Sequence, residues 1–146
     1  MIEPSRELRD VCAIVGAGHS RLGRVPGVSS LDLLVEAMHN AIVDAGLKVT
    51  DIDGIICRGP DESYAHHQQI GARLGINARF STTLDNGGAS QILGVALATM
   101  AIKAGMASTV NASGSSGSSK KHLTAWLPGR ASRTSCANVP STPSNA

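Results

Sequence analysis

Apolar positions fall into two rhythms along the chain: short unbroken runs, and longer stripes at helical spacing. Residues 11–15 (VCAIV) are wholly apolar and rich in β-branched side chains, which predicts a buried strand ended by Gly16-Ala17-Gly18. After a loop through Pro26-Gly27, Ser29 stands as a helix N-cap with Asp32 three residues on, the spacing of a capping box. Leu31, Leu34, Val35, Met38, Ile42 and Ala45 then recur on one stripe, and Gly46 supplies the stop, so an amphipathic helix is expected. Residues 52–57 (IDGIIC) predict a second strand, ended by Gly59-Pro60. Residues 62–74 predict a helix closed by Gly75, and residues 78–84 a third strand.

Asp85-Asn86-Gly87-Gly88 reads as a turn, after which residues 89–104 are helical until Gly105. In that helix Ile92, Leu93, Val95, Ala96, Leu97, Met100, Ala101 and Ile102 cover nearly every face, the signature of a helix buried between layers. Residues 107–110 begin a fourth strand. From Asn111 onward the character changes: 36 residues hold nine serines and three prolines, no acid, and an apolar patch only at 123–127. Such a stretch cannot bury enough surface to order itself. Residues 1–110 are therefore expected to be the folded part, and residues 111–146 a disordered or out-of-frame Ser-rich tail. A break in mid-strand points to a truncated or frame-shifted product. No internal repeat of solenoid period is present.

Alternating strands and helices define an α/β class, and composition agrees with it. The 146 residues include three aromatics (Tyr64, Phe80, Trp126), so Ala, Val, Ile and Leu must build the core. Charged residues make up 16%, below the average of about 25%, as in a compact buried layer rather than a solvated surface domain. The net charge of +2 is uneven. Residues 1–110 carry all 11 acids and nine bases, while Lys120, Lys121, Arg130 and Arg133 lie in the acid-free tail. A basic stripe on the folded part, with aromatic platforms, would mark a nucleic-acid binder, and it is missing. Three cysteines (Cys12, Cys57, Cys136) with no C-x-x-C give neither a disulfide framework nor a zinc ribbon, and no metal site is expected. The chain opens with no signal-peptide pattern, and its longest apolar run, residues 95–102, is far short of a membrane span. A soluble, reducing, cytoplasmic setting follows.

Four groups of residues invite chemistry. Gly16-Ala17-Gly18 follows a strand as a dinucleotide fingerprint would, but Gly23 is two positions late, Pro26-Gly27 interrupts the helix, and Asp44 lies inside the first helix. A tight turn is the better reading, and a nucleotide-binding oxidoreductase is disfavoured. Residues 85–90 (DNGGAS) open the last helix, where backbone N–H groups and the helix dipole favour negative charge and glycines permit close approach. A plain turn with an N-cap remains an equal reading. His66 and His67 point about 100° apart on a helix and share no metal well, so a solvated face is expected of them, as of His19 and His39. Cys12 and Cys57 sit in apolar runs as small inert hydrophobes, and Cys136 has no positioned base.

Taken together, AIVGAGHSRLGR, SSLDLLVEAMHNAIVDAGLKVTDIDGIICRG, ARLGI and TTLDNGGASQILGVALATMAIKAGMAS resemble the opening of a thiolase-superfamily protein over residues 11–110. The likeness is nearest to the sterol-carrier-type, lipid-transfer branch often labelled acetyl-CoA acetyltransferase. The resemblance implies a thiolase-like α/β fold of two related halves, of which this chain holds an incomplete N-terminal one with a buried central helix. It implies an acyltransferase, or C–C bond formation or cleavage, on acyl-CoA thioesters in lipid metabolism, with coenzyme A part of the substrate and no separate cofactor. In its full-length form such a protein is a homodimer or pairs with a small acyl-CoA-binding partner. True thiolases open the buried helix with N-x-x-C-x-S-G. Aligning Ser90 with the motif serine puts Asp85 at the asparagine, Gly88 at the nucleophilic cysteine and Gln91 at the glycine. The nucleophile is missing, as in branch members that resemble retro-aldolases and lipid-transfer proteins. The family's second half, with its His- and Cys-bearing motifs, is missing too, so no general base is assigned and the chain is expected to be inactive alone. Asn86, Gly87, Gly88, Ala89 and Ser90 are the candidate thioester-facing loop, with backbone amides stabilising the charge and the Ser90 hydroxyl at most capping the helix. The alternative is a non-catalytic acyl-CoA- or lipid-binding partner subunit of the same fold. With the covering layer missing, the apolar helix 89–104 predicts self-association.

Overall fold

The computed structural model describes residues 8, 10–58 and 65–114, and the backbone of 124–128. The chain order is strand β1 (Cys12–Ala17), helix α1 (Ser30–Asp44), strand β2 (Gly54–Arg58), helix α2 (His66–Leu74), strand β3 (Phe80–Thr83), helix α3 (Ser90–Lys103), strand β4 (Val110–Gly114) and strand β5 (Thr124–Pro128). One sheet of order β1-β5-β4-β2-β3 collects all five strands. β2 runs parallel to both β3 and β4, whereas β5 is antiparallel to β4 and to β1.

The alternation of side chains along β2 organises the core. Ile55 and Cys57 face α1 and α2, joining Leu34, Met38, Ile42 and Ile70; Ile56 faces the other way, joining Ala98, Ile102, Val110 and Ala112 under α3. A strand buried on both faces needs a continuous apolar run, which residues 54–57 (GIIC) provide. α1 begins as its sequence predicts: Ser29 is the N-cap, and its Oγ accepts the Asp32 N–H at 3.1 Å. That hydroxyl's bond to the Asp32 carboxylate, with the Arg73 guanidinium beside it, holds the Asp32 carboxyl below its ordinary range.

The glycines after the first strand serve packing. β1 itself includes Gly16 and Ala17, two residues past the expected end. A Cβ on Gly16 would stand 2.5 Å from Ala41 O, and one on Gly18 2.5 Å from Ala37 O, so both let the chain lie against the α1 backbone. Asp44 Oδ2 accepts the Ala17 N–H at 2.9 Å and fastens the end of β1 to α1.

β2 runs Gly54–Arg58 rather than 52–57, and three further elements differ from expectation at their ends. α2 starts at His66 rather than Glu62, because Ala65 takes a left-handed conformation (φ 52°); residues 62–64 lie outside the described residues. β3 is shorter than residues 78–84 at both ends. β4 does not stop at Val110 but runs to Gly114, in parallel register with β2 as far as the pair Arg58–Gly114. The polar residue that seemed to end it, Asn111, is fully buried, its Nδ2 donating to Met38 O at 3.2 Å. β5 likewise draws five residues of the Ser-rich stretch into the sheet. The rest of 115–146 lies outside the described residues, as does Cys136.

Candidate functional site

The carboxyl ends of β2, β3 and β4 point the same way, and the loop from β3 into α3 crosses that edge, the usual place for ligands in parallel sheets. Gly87–Ala89 form a single 3-10 turn ahead of α3, with Asn86 before it and Gly87 left-handed at φ 57°. Only glycine adopts that conformation without strain. Ser90, 3% exposed, turns its Oγ back to accept the Asn86 N–H at 2.8 Å. The Ser90 hydroxyl thus closes the loop instead of capping α3, whose N-cap position is Ala89 and has no side-chain cap.

Two loop amides already have acceptors: Ala89 N–H donates to Asn86 O at 3.2 Å, and Ser90 N–H to Gly87 O. Among the described residues, the N–H groups of Gly87 and Gly88 have none. Both sit on the positive end of α3, so the loop offers two donors to an incoming oxygen. A Cβ built on Gly88 meets nothing within 4 Å. The position where the resemblance expects a cysteine is therefore open space at the head of the helix.

Arg58, which the sequence did not single out, frames this loop together with Asp85 and Gln91. Arg58, at the end of β2, places Nε 3.4 Å from Asp85 Oδ1 and keeps its own side chain 18% exposed while Asp85 is 81% exposed. Gln91, in the first turn of α3, packs on the end of β4, where a Cβ on Gly114 would lie 2.8 Å from its Cδ. Arg58 was legible only as the first charge after the apolar run of β2, and nothing in the sequence paired it with Asp85.

The histidines depart from expectation. His66 is buried and His67 half-buried, not solvated, because the late start of α2 tucks its first turn against β3. His67 Nδ1 lies 2.7 Å from Thr83 Oγ1, and Cys57 Sγ lies 3.9 Å from the same oxygen. Burial, and then the neighbouring His66, lower the His67 pKa, favouring neutral imidazole. Burial pushes the Cys57 thiol up to about 12, which leaves it protonated and inert, as its apolar run implies. Cys12 Sγ lies 3.3 Å from Thr99 Oγ1. His39 is exposed, and His19 Nδ1 rests on Ser20 O at 2.9 Å. Among the described residues no group of His, Cys, Asp and Glu is placed to hold a metal ion, and no helix is long and apolar enough to cross a membrane.

The fold is thiolase-like. The chain superposes on 3-oxoacyl-(acyl carrier protein) synthase III from Pseudomonas aeruginosa with a TM-score of 0.70 at 16% identity, covering 80% of this chain and 51% of that one. It superposes on OleA from Xanthomonas campestris with a TM-score of 0.72 at 10% identity, covering 81% and 56%. With the solved Ltp2-ChsH2(DUF35) aldolase the TM-score is 0.63 at 32% identity, over 72% of this chain and 27% of that one. In sequence the chain is 33% identical over 103 residues to the steroid side-chain-cleaving aldolase of Thermomonospora curvata. It is 34% identical over 98 residues to the 17-hydroxy-3-oxo-4-pregnene-20-carboxyl-CoA lyase of Mycobacterium tuberculosis. These alignments take in 70% and 67% of the chain but only 26% and 25% of the relatives, so it spans about a quarter of their length. No protein-family profile matches the chain.

Proposed function

We propose that residues 86–90 receive the thioester end of an acyl-CoA, and that the chain is the opening part of a thiolase-like lyase or aldolase that breaks or makes a C–C bond beside that thioester. The observation that carries the reading is Gly88: a Cβ built there meets nothing within 4 Å, at the head of α3 where the helix dipole is positive. A thiolase's covalent step needs a thiol there. Without one, the loop can still stabilise the enolate or oxyanion that forms at a thioester carbonyl when the adjacent C–C bond changes. Two relatives named for C–C cleavage, one of them on a CoA thioester, support that choice over acyl transfer.

In this reading Gly87 and Gly88 donate N–H groups to the thioester oxygen. Asn86 and Ser90 hold the turn in shape, Ala89 carries it into α3, and the Arg58–Asp85 pair anchors its entry. The substrate class is a lipid or steroid side chain carried on coenzyme A, and no other cofactor is called for. The proton donor and acceptor come from outside the described residues, either from a longer form of the chain or from an acyl-CoA-binding partner.

Octanoyl-CoA is the probe. Its binding to the chain, followed by calorimetry, should be lost in Gly88→Leu while the melting temperature stays within about 2 °C of the parent. In Gly88→Cys the new thiol should attack the thioester carbonyl and release CoA thiol, leaving an octanoyl-cysteine adduct at residue 88 in the mass spectrum. Binding untouched by Gly88→Leu, together with no adduct at residue 88, would overturn the proposal.

A further inference from the structure

Alternation along β4 sorts its side chains between the two faces of the sheet. Val110 and Ala112 join the core under α3, so Asn111 and Ser113 share the opposite face, toward α1 and α2. Asn111 is fully buried, and its Nδ2 donates to Met38 O at 3.2 Å, which sets the orientation of the amide and turns Oδ1 away from that carbonyl. Oδ1 has no hydrogen-bond partner, and neither has Ser113 Oγ, although both oxygens are sealed from solvent. Cys57 pairs with Ser113 across the parallel ladder and faces the same way. On the far side of Cys57, Thr83 Oγ1 lies 3.9 Å from its sulfur. Two sealed oxygens on one strand face call for a donor, because folded chains pair nearly all such groups.

We propose that Asn111 Oδ1 and Ser113 Oγ form a binding site for one internal water, on the face of β4 toward α1. Side chains two residues apart on a strand are rooted about 6.6 Å from one another. A bridging water spans about 5.6 Å from oxygen to oxygen, so a slight lean of the two side chains brings both within reach. The water donates one proton to the amide oxygen, which can only accept, and shares its second bond with the serine hydroxyl. The Cys57 thiol beside Ser113 is the third partner, which meets the usual count of about three for a buried water. Enclosure and charge select water over other occupants. The oxygens are already sealed, so only a small molecule fits, and an ion would bring a charge that two neutral oxygens and a thiol do not balance. The bridge fastens the end of β4 and, through Asn111 Nδ2, joins it to α1. Ser113 directly precedes Gly114, on which Gln91 of α3 rests, so the water steadies the carboxyl edge from the face opposite the candidate loop. This inference stands on the two oxygens and not on the thioester reading.

A crystal structure of the 146-residue chain should show a solvent peak within about 3.2 Å of both oxygens. Ser113→Ala gives a test by sign. A hydroxyl bonded to the water stabilises the fold, so its removal should lower the melting temperature by about 2–5 °C. A hydroxyl buried without a partner penalises the fold, and its removal should raise the melting temperature instead. Asn111→Leu should lower it further, since the Met38 bond goes as well. The double variant should then lose less than the two single losses together, because either substitution alone already releases the water. Should Asn111→Leu fail to fold, the Ser113→Ala sign and the crystal density still decide. Any of three results overturns the proposal: a raised melting temperature in Ser113→Ala, losses that add in the double variant, or an atom of the chain itself bonded to either oxygen in place of solvent.

Discussion

Thr83, on β3, supplies the cap that α2 lacks. Ala65 has no side chain to offer, and Thr83 Oγ1 instead accepts the His67 N–H at 3.5 Å and lies 2.7 Å from His67 Nδ1. The hydroxyl carries one donor and two acceptor sites, so the same oxygen serves both the amide and the ring nitrogen of His67. Thr83→Val keeps the shape and removes both bonds, and should cost about 1–2 kcal/mol in chemical denaturation.

The same pair makes stability depend on pH, with a definite sign. Burial and then His66 lower the His67 pKa in the folded chain, so the unfolded chain binds the proton more readily. The contribution is present in full above the ordinary histidine value of about 6.5 and is lost as pH falls toward the lowered one. Melting temperature should therefore drop as pH falls below about 6.5, and His67→Gln should flatten part of that drop. Equal slopes in the two proteins would mean that His67 titrates without the fold's influence.

Cys57 provides a second pH test, opposite in direction. Its thiol rises from an ordinary 9.0 to about 12, so its contribution is full below pH 9.0 and fades as pH rises toward 12. Three units of pKa mean about a thousandfold fewer thiolates at a given pH. Mapping by Ellman's reagent at about pH 8 should leave Cys57 unmodified in the native chain and label it in urea, whereas half-buried Cys12 should react before Cys57 does.

What the sequence made legible was whatever a short window encodes. The Ser29–Asp32 cap, the stripe of α1 and the doubly buried run of β2 are local patterns, and each is where periodicity predicts it. The thiolase-like resemblance likewise rests on contiguous motifs. What escaped were relationships between windows. α2 starts late, after the left-handed Ala65, and its first turn bonds to Thr83 of β3, a partner that no spacing in the chain reveals. Asn111 looked like the end of a strand because it is polar, yet the Met38 carbonyl gives its amide a partner inside the core. The Arg58–Asp85 pair beside the candidate loop joins two strand ends 27 positions apart in the chain, a proximity set by parallel pairing alone.

Two glycines should respond in opposite ways to one methyl group. At Gly18 the added Cβ runs into the backbone of α1, so Gly18→Ala must push the helix or the loop aside and should cost at least about 1–3 kcal/mol. At Gly88 the Cβ enters open space with no left-handed φ to forbid it, so Gly88→Ala should change stability by less than about 1 kcal/mol in either direction. Urea midpoints of the two variants decide the matter. A destabilised Gly88→Ala would mean that the space at the head of α3 is filled, and the thioester reading would lose its main support.

The last relationship is the loop closure by Ser90. Its Oγ holds the Asn86 N–H at 2.8 Å from a position 3% exposed, so the bond is shielded and its geometry is set by α3 rather than by the loop. Ser90→Ala leaves the helix intact, since that hydroxyl caps nothing in α3. The Asn86 N–H belongs to an exposed residue and can turn to water, which limits the stability cost to about 0.5–1.5 kcal/mol. The larger consequence falls on the turn, whose left-handed Gly87 is held between Asn86 and Ser90. With that tie cut, the two glycine amides no longer point in a fixed direction, and octanoyl-CoA binding should weaken by about tenfold while the melting temperature moves only a few degrees. Ser90→Ala with unchanged affinity would show that the loop keeps its shape without the serine, and would move the burden of holding Gly87 and Gly88 to the Arg58–Asp85 pair.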